Sequence, residues 1–97
     1  MALRLLIHAP TVAALARARS NARNLLRADP TAEVEIVVNG GAVAAAIETG
    51  EVEPQLLLCS NSLAAQGLVA PSEARTVDAA VLYIAMRQQS GWAYMRA

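Results

Sequence analysis

Gln55-Leu56-Leu57-Leu58-Cys59-Ser60-Asn61-Ser62-Leu63 is the stretch whose reading decides the fold. Gln55 to Leu58, a short apolar run after Pro54, reads as a β-strand. Cys59-Ser60-Asn61-Ser62 reads as a turn, and Leu63 to Gln66 opens a short helix that Gly67 stops. Asn61 or Ser62 is the expected helix cap. A buried strand that passes into a helix in this way is one repeat of an alternating α/β chain.

The same alternation extends in both directions. Upstream, Glu33 to Val38 is rich in β-branched residues and reads as a strand. Asn39-Gly40-Gly41 forms a turn, and Ala42 to about Thr49 an alanine-rich helix ending at Gly50. Further upstream, the apolar run Leu3 to His8 reads as a strand buried on both faces and cut short by Ala9-Pro10. Thr11 caps a helix that runs to about Ala28. Its apolar residues Val12, Leu15, Ala18, Ala22, Leu25 and Leu26 keep steps of three and four, and Asp29-Pro30 stops it. Downstream, Arg75 to Val77 is a brief strand. Asp78 caps a helix through about Gln89, with Ala80, Val81, Ile84 and Ala85 as its core stripe. Trp92 to Arg96, after Ser90-Gly91, is the last strand. Helices between strands are long enough for crossovers, which forces parallel pairing. Such crossovers are right-handed and cover both faces of the sheet. The expected fold class is α/β, a three-layer α/β/α sandwich on a mainly parallel five-stranded sheet, built as one domain over residues 1–97.

Composition narrows the function classes. The chain has 97 residues, of which 56% are apolar. A domain this small and this apolar is expected to hide part of its surface in a homo-oligomer. Eight arginines balance eight acids and there is no lysine, so no net field draws the chain to nucleic acid. Arg17, Arg19, Arg23 and Arg27 share one predicted helix and read as its solvated side. One cysteine cannot form an internal disulfide. The apolar opening Met1 to Ile7 is short and carries no cleavage pattern, so no signal peptide is expected. No apolar run approaches the ~20 residues of a membrane span. The expected compartment is the cytoplasm.

In an open parallel sheet, ligands bind outside the carboxyl ends of the strands. That rule selects the turns at His8, at Asn39-Gly40-Gly41, at Cys59-Ser60-Asn61-Ser62 and at Asp78. Cys59 leads them. A helix N-terminus lowers a thiol's pKa, whereas a cysteine packed at a strand end is inert, and both readings stay open. His8 is the candidate base for Cys59 if their strands are neighbours. If the second strand lies between them, their backbones are ~10 Å apart and Asn39 is nearer to both. Gly40-Gly41 reads either as an anion-binding turn or as a tight turn needing positive φ. Trp92 and Tyr94 share one strand face and read as core or subunit contact. No dinucleotide fingerprint, P-loop or metal-ligand pattern is present, so no cofactor and no metal are expected.

The strand ending in His8, the strand ending Val37-Val38-Asn39-Gly40, the stretch Leu57-Leu58-Cys59-Ser60-Asn61-Ser62-Leu63 and the tail Gln89-Ser90-Gly91-Trp92-Ala93-Tyr94-Met95 occur in this order. The ordered set resembles the DsrE/DsrF-like family, which includes the YchN-like proteins. The resemblance implies a DsrEFH-like fold with strand order 4-3-2-1-5 and homo-oligomers, often trimers or hexamers. It implies sulfur carried as a persulfide on Cys59 in a sulfur-relay pathway, with partner chains as sulfur donor or acceptor. His8, Asn39 and Gly40 match the family's strand ends, and Ser60, Asn61 and Ser62 the surroundings of its cysteine. The alternative function is a non-catalytic oligomeric module in which the strand-end turns bind a small molecule or anion.

Overall fold

A computed structural model describes residues 2–48 and 52–97 of the chain. In chain order the elements are β1 (Arg4–Ala9), α1 (Val12–Ala28), β2 (Glu33–Val38), α2 (Ala42–Glu48) and β3 (Leu56–Cys59). They continue with α3 (Ser60–Ala65), β4 (Arg75–Val77), α4 (Ala80–Gln89) and β5 (Ala93–Arg96). The predicted helix end at Thr49 and stop at Gly50 lie outside the described residues.

The five strands form one sheet in the order β4-β3-β2-β1-β5, and every neighbouring pair is parallel. The order dictates the layers. From β1 to β4 each strand adds on the same side of its predecessor, so right-handed crossovers put α1, α2 and α3 on one face. The chain then returns across the sheet to lay β5 beside β1, and α4 is carried to the opposite face. Strand alternation divides the core to match. Ile7, Val34, Ile36, Val38, Leu56 and Leu58 pack with α1–α3. Leu6, Val37, Cys59 and Trp92 pack with α4 through Ala80, Tyr83 and Ile84. The result is the expected α/β three-layer sandwich.

Local chemistry explains most boundaries. Thr11 caps α1 as predicted, its Oγ1 accepting the Ala14 N–H at 3.0 Å. Three expectations are corrected. The Cys59–Ser62 turn does not exist: Cys59 ends β3 and is itself the N-cap residue of α3, with Ser60 already helical. No glycine or proline sits there to force a loop, so the strand passes straight into the helix. Asp78 does not cap α4; the N-cap is Ala79, in extended conformation. The stripe assigned to α4 is only half right. Ala80 and Ile84 face the sheet, but Val81 and Ala85 point outward.

One feature of this face was not anticipated. Glu35, on β2, is buried under α4 with 8% of its surface exposed. Its Oε1 accepts the Tyr83 hydroxyl at 2.6 Å and the Arg87 Nε–H at 2.9 Å, and its Oε2 accepts the Arg87 Nη2–H at 3.0 Å. Arg75, on β4, approaches the same carboxylate at 3.6 Å. The Arg87 guanidinium also stacks 4.7 Å from the Trp92 ring centre. These contacts pin the C-terminal half of α4 to the sheet at the amino ends of the strands.

Candidate functional site

The carboxyl ends of the strands bring the sequence-selected residues together in two groups. The first lies at β3 and β4. The helix after β3 goes to one face and the helix after β4 to the other, so the crevice between these strands is the topological switch point. Cys59 ends β3 there, in register with Val77 of β4. Its side chain lies on the α4 face, 4% exposed.

The sulfur makes no regular N-cap hydrogen bond to the first turn of α3. Its surroundings still favour the thiolate. Burial is the largest influence and pushes the pKa up, but the Ser62 hydroxyl and the N–H groups of Ser62, Ala80 and Asn61 together outweigh it. The net effect is a thiol held below its ordinary 9.0. Ser62 in turn is fixed from the β2 turn, since its Oγ accepts the Gly40 N–H at 2.9 Å. Gln66 donates to the Gly40 carbonyl at 2.9 Å, so α3 grips that turn twice. Gly40 itself has φ +56°, and a β-carbon there would sit 2.9 Å from the Pro10 carbonyl oxygen. Only glycine fits between the β1 and β2 turns. The anion-binding reading of Gly40-Gly41 is therefore corrected for Gly40, whose N–H is already committed to Ser62.

The second group lies at β2, β1 and β5. His8 Nε2 is 2.9 Å from Asn39 Oδ1, and His8 Nδ1 is 2.9 Å from the Tyr94 hydroxyl. With Asn39 Oδ1 accepting, Nε2 carries a proton, and Nδ1 shares a hydrogen bond with the Tyr94 hydroxyl. Both ring nitrogens are thus occupied. β2 lies between β1 and β3, which separates His8 from Cys59 by two strand spacings, ~10 Å. His8 is not the base of Cys59. Asn39 is its partner instead, and Tyr94, expected as core or subunit contact, joins the site through its hydroxyl. The signal for Tyr94 was the pairing register, which sets it beside Leu6 with its hydroxyl reaching His8. Ser60 begins α3 half-buried, and Asn61 is exposed and offers its backbone N–H to the sulfur.

A depressed thiol pKa has a defined consequence. Its contribution to stability is fully present above the unfolded value of 9.0 and is lost as pH falls through the folded one. Ser62→Ala removes the strongest donor. The midpoint of the iodoacetamide alkylation rate against pH is expected to rise toward 9.0 in that variant, with alkylation at neutral pH several-fold slower. An unchanged midpoint would show that Ser62 does not tune the thiol.

Among the described residues no cluster of three His, Cys, Asp or Glu side chains could hold a metal ion. No described helix is long and apolar enough to cross a membrane. No family model matches the chain, and no curated protein matches it. Among solved structures, the protein of unknown function MTH1491 from Methanobacterium thermoautotrophicum superposes with a TM-score of 0.76. It is 24% identical, and the match covers 98% of this chain and 99% of that one. That likeness establishes a shared α/β fold.

Proposed function

We propose that this chain is a small DsrE-like sulfur carrier that holds sulfane sulfur as a persulfide on Cys59. The observation that carries the reading is the convergence of the α3 and α4 N-termini on one thiol at the switch point of the sheet, with its pKa lowered by Ser62 and three backbone N–H groups. The ordered resemblance to the DsrE/DsrF-like family supports it. In the transfer, the Cys59 thiolate attacks the outer sulfur of a donor persulfide, R–S–S–H. The donor S–S bond breaks, R–S⁻ leaves and takes up a proton, and Cys59 keeps the terminal –S–SH. An acceptor thiolate reverses the exchange. The partners on this reading are a sulfur-donor and a sulfur-acceptor protein in the cytoplasm, and a homo-oligomer of this chain, a trimer or hexamer.

The test is mass spectrometry after incubation with a persulfide donor. The parent gains one sulfur atom, lost again on reduction, and Cys59→Ser gains none. A parent that gains no sulfur while its thiol titrates at the ordinary value overturns the proposal. The near-complete burial of Cys59, 4% exposed, is the observation that favours the second reading, a non-catalytic oligomeric module binding a small molecule or anion at the strand ends. On that reading Cys59→Ser assembles and functions normally.

A further inference from the structure

We propose that a cavity at the amino ends of the strands, on the α4 face of the sheet, binds a small oxyanion, the phosphate or carboxylate group of a metabolite. The site lies at the opposite end of the strands from Cys59 and does not rest on sulfur chemistry there.

Strand alternation builds the cavity. Leu6, Val37 and Val77 face α4, so Arg4, Glu33, Glu35 and Arg75, an even number of positions earlier on the same strands, face the same way. Arg87 joins them from α4, and Trp92 from the turn before β5. Together these side chains line an open cavity of about 480 Å³, a volume in the range of small-molecule sites.

Charge selects the occupant. The ionised side chains of the cavity are three arginines and two glutamates. Arg87 and Glu35 satisfy one another through two hydrogen bonds of 2.9 and 3.0 Å. That leaves Arg4 and Arg75 against Glu33 alone, and Glu33 is exposed. Among the described residues neither Arg4 nor Glu33 forms an ion pair. Arg75 approaches the Glu35 carboxylate only to 3.6 Å, beyond hydrogen-bond length.

Each of the two guanidiniums is held instead by a neutral backbone oxygen. Arg4 Nη2 donates to the Ser90 carbonyl at 3.2 Å, and Arg75 Nη1 to the Pro54 carbonyl at 3.0 Å. The Arg4 guanidinium also lies 5.9 Å from the Trp92 ring centre. Gly91 keeps that reach open, since a β-carbon there would sit 3.3 Å from Arg4 Nη2. Most N–H donors of both forks therefore stay uncommitted. A guanidinium fork matches an oxyanion in shape and charge. Forks already anchored lose little freedom when a ligand arrives. An oxyanion supplies the missing counter-charge. A cation would meet an excess of positive charge, and a neutral ligand would leave both forks without an anionic partner.

Trp92 is the chain's single tryptophan, so its fluorescence reports on the cavity. Inorganic phosphate, glycerol phosphate and succinate are titrated against sodium chloride at the same ionic strength. A saturable change with an oxyanion and none with chloride is expected, and the tighter ligand tells a phosphate site from a carboxylate one. Arg4→Gln and Arg75→Gln each weaken binding by about tenfold, and Glu33→Gln strengthens it several-fold. In the parent, the NMR signals of the Trp92 indole N–H and of the Arg4 and Arg75 Nε–H groups shift with the same midpoint, a readout that needs no variant. A parent in which none of the three oxyanions acts differently from chloride overturns the proposal. So do arginine variants that fold and bind as the parent does.

Discussion

Arg87→Met is expected to destabilise the fold by about 2–3 kcal/mol and to lower Tm by roughly 10–20 °C. The substitution keeps the aliphatic length of the side chain and removes the charge. Glu35 is then left under α4 with only the Tyr83 hydroxyl at 2.6 Å and Arg75 at 3.6 Å. A buried ion pair broken from one side costs more than the pair itself contributes, because the remaining charge is stranded. The figure is set below the cost of stranding a fully buried charge because Arg87 is itself about a third exposed and its charge is partly solvated. Two further measurements separate this account from simple loss of packing. Glu35→Leu in the Arg87→Met background should restore a large part of the loss, since it removes the stranded carboxylate. Tyr83 should report on the cluster through pH. Burial first, and the Glu35 carboxylate next, raise its phenol above the ordinary 10.0. A raised pKa stabilises the fold below the unfolded value and ceases to do so as pH rises through the folded one. The advantage of the parent over Tyr83→Phe in urea midpoint should therefore persist at neutral pH and disappear well above pH 10. An Arg87→Met protein that unfolds within about 0.5 kcal/mol of the parent would show that the cluster does not hold α4.

Gly40→Ala has an effect of similar size and a second readout at the site. The αL conformation costs a residue with a β-carbon about 1–2 kcal/mol. The contact of 2.9 Å with the Pro10 carbonyl adds to it, because backbone meets backbone and neither side is a flexible chain end. A total near 3 kcal/mol is expected in chemical denaturation. The turn relieves the clash only by moving away from the β1 turn, and its N–H moves with it. Ser62 then loses the donor that orients its hydroxyl, and the alkylation midpoint of Cys59 shifts up in the same direction as for Ser62→Ala. Gly41→Ala is the control, because its position is open and its φ is not left-handed. A Gly40→Ala protein as stable as Gly41→Ala would refute the packing argument. A Gly40→Ala protein that is destabilised while its thiol titrates as in the parent would break the link from Gly40 through Ser62 to Cys59.

Much of this arrangement was legible before the coordinates. Periodicity placed all nine elements, because apolar runs bounded by Pro10, Asp29-Pro30, Gly67 and Gly91 leave little freedom for strand or helix ends. The rule of strand carboxyl ends selected His8, Asn39, Gly40 and Cys59. Two kinds of information were not local and could not be read this way. One is lateral order in the sheet. It decides that β2 separates His8 from Cys59, and it pairs His8 with a tyrosine 86 positions away. The other is which side of an apolar helix faces inward. In α4 both sides carry aliphatic residues, so periodicity alone does not tell the side of Val81 and Ala85 from that of Tyr83 and Arg87. The ion pair with Glu35 chose between them. The Cys59 turn failed for a different reason. Serines and asparagine favour caps and turns, and here they are the opening residues of a helix that needs no intervening loop.

The placement of β5 beside β1 has a consequence for how the molecule is made. Of the five strands of this sheet β1 is synthesised first, and its second neighbour, β5, is synthesised last. Until β5 arrives, one hydrogen-bonding edge of the apolar strand β1, at Leu5-Leu6-Ile7, has no partner. Contacts that close such a long stretch of chain form late and slowly, and an unpaired apolar edge in the interval is where nascent chains associate wrongly. Truncation of Ala93–Arg96 would therefore be felt less as the loss of four surface residues than as a permanent halt at the most aggregation-prone stage of synthesis.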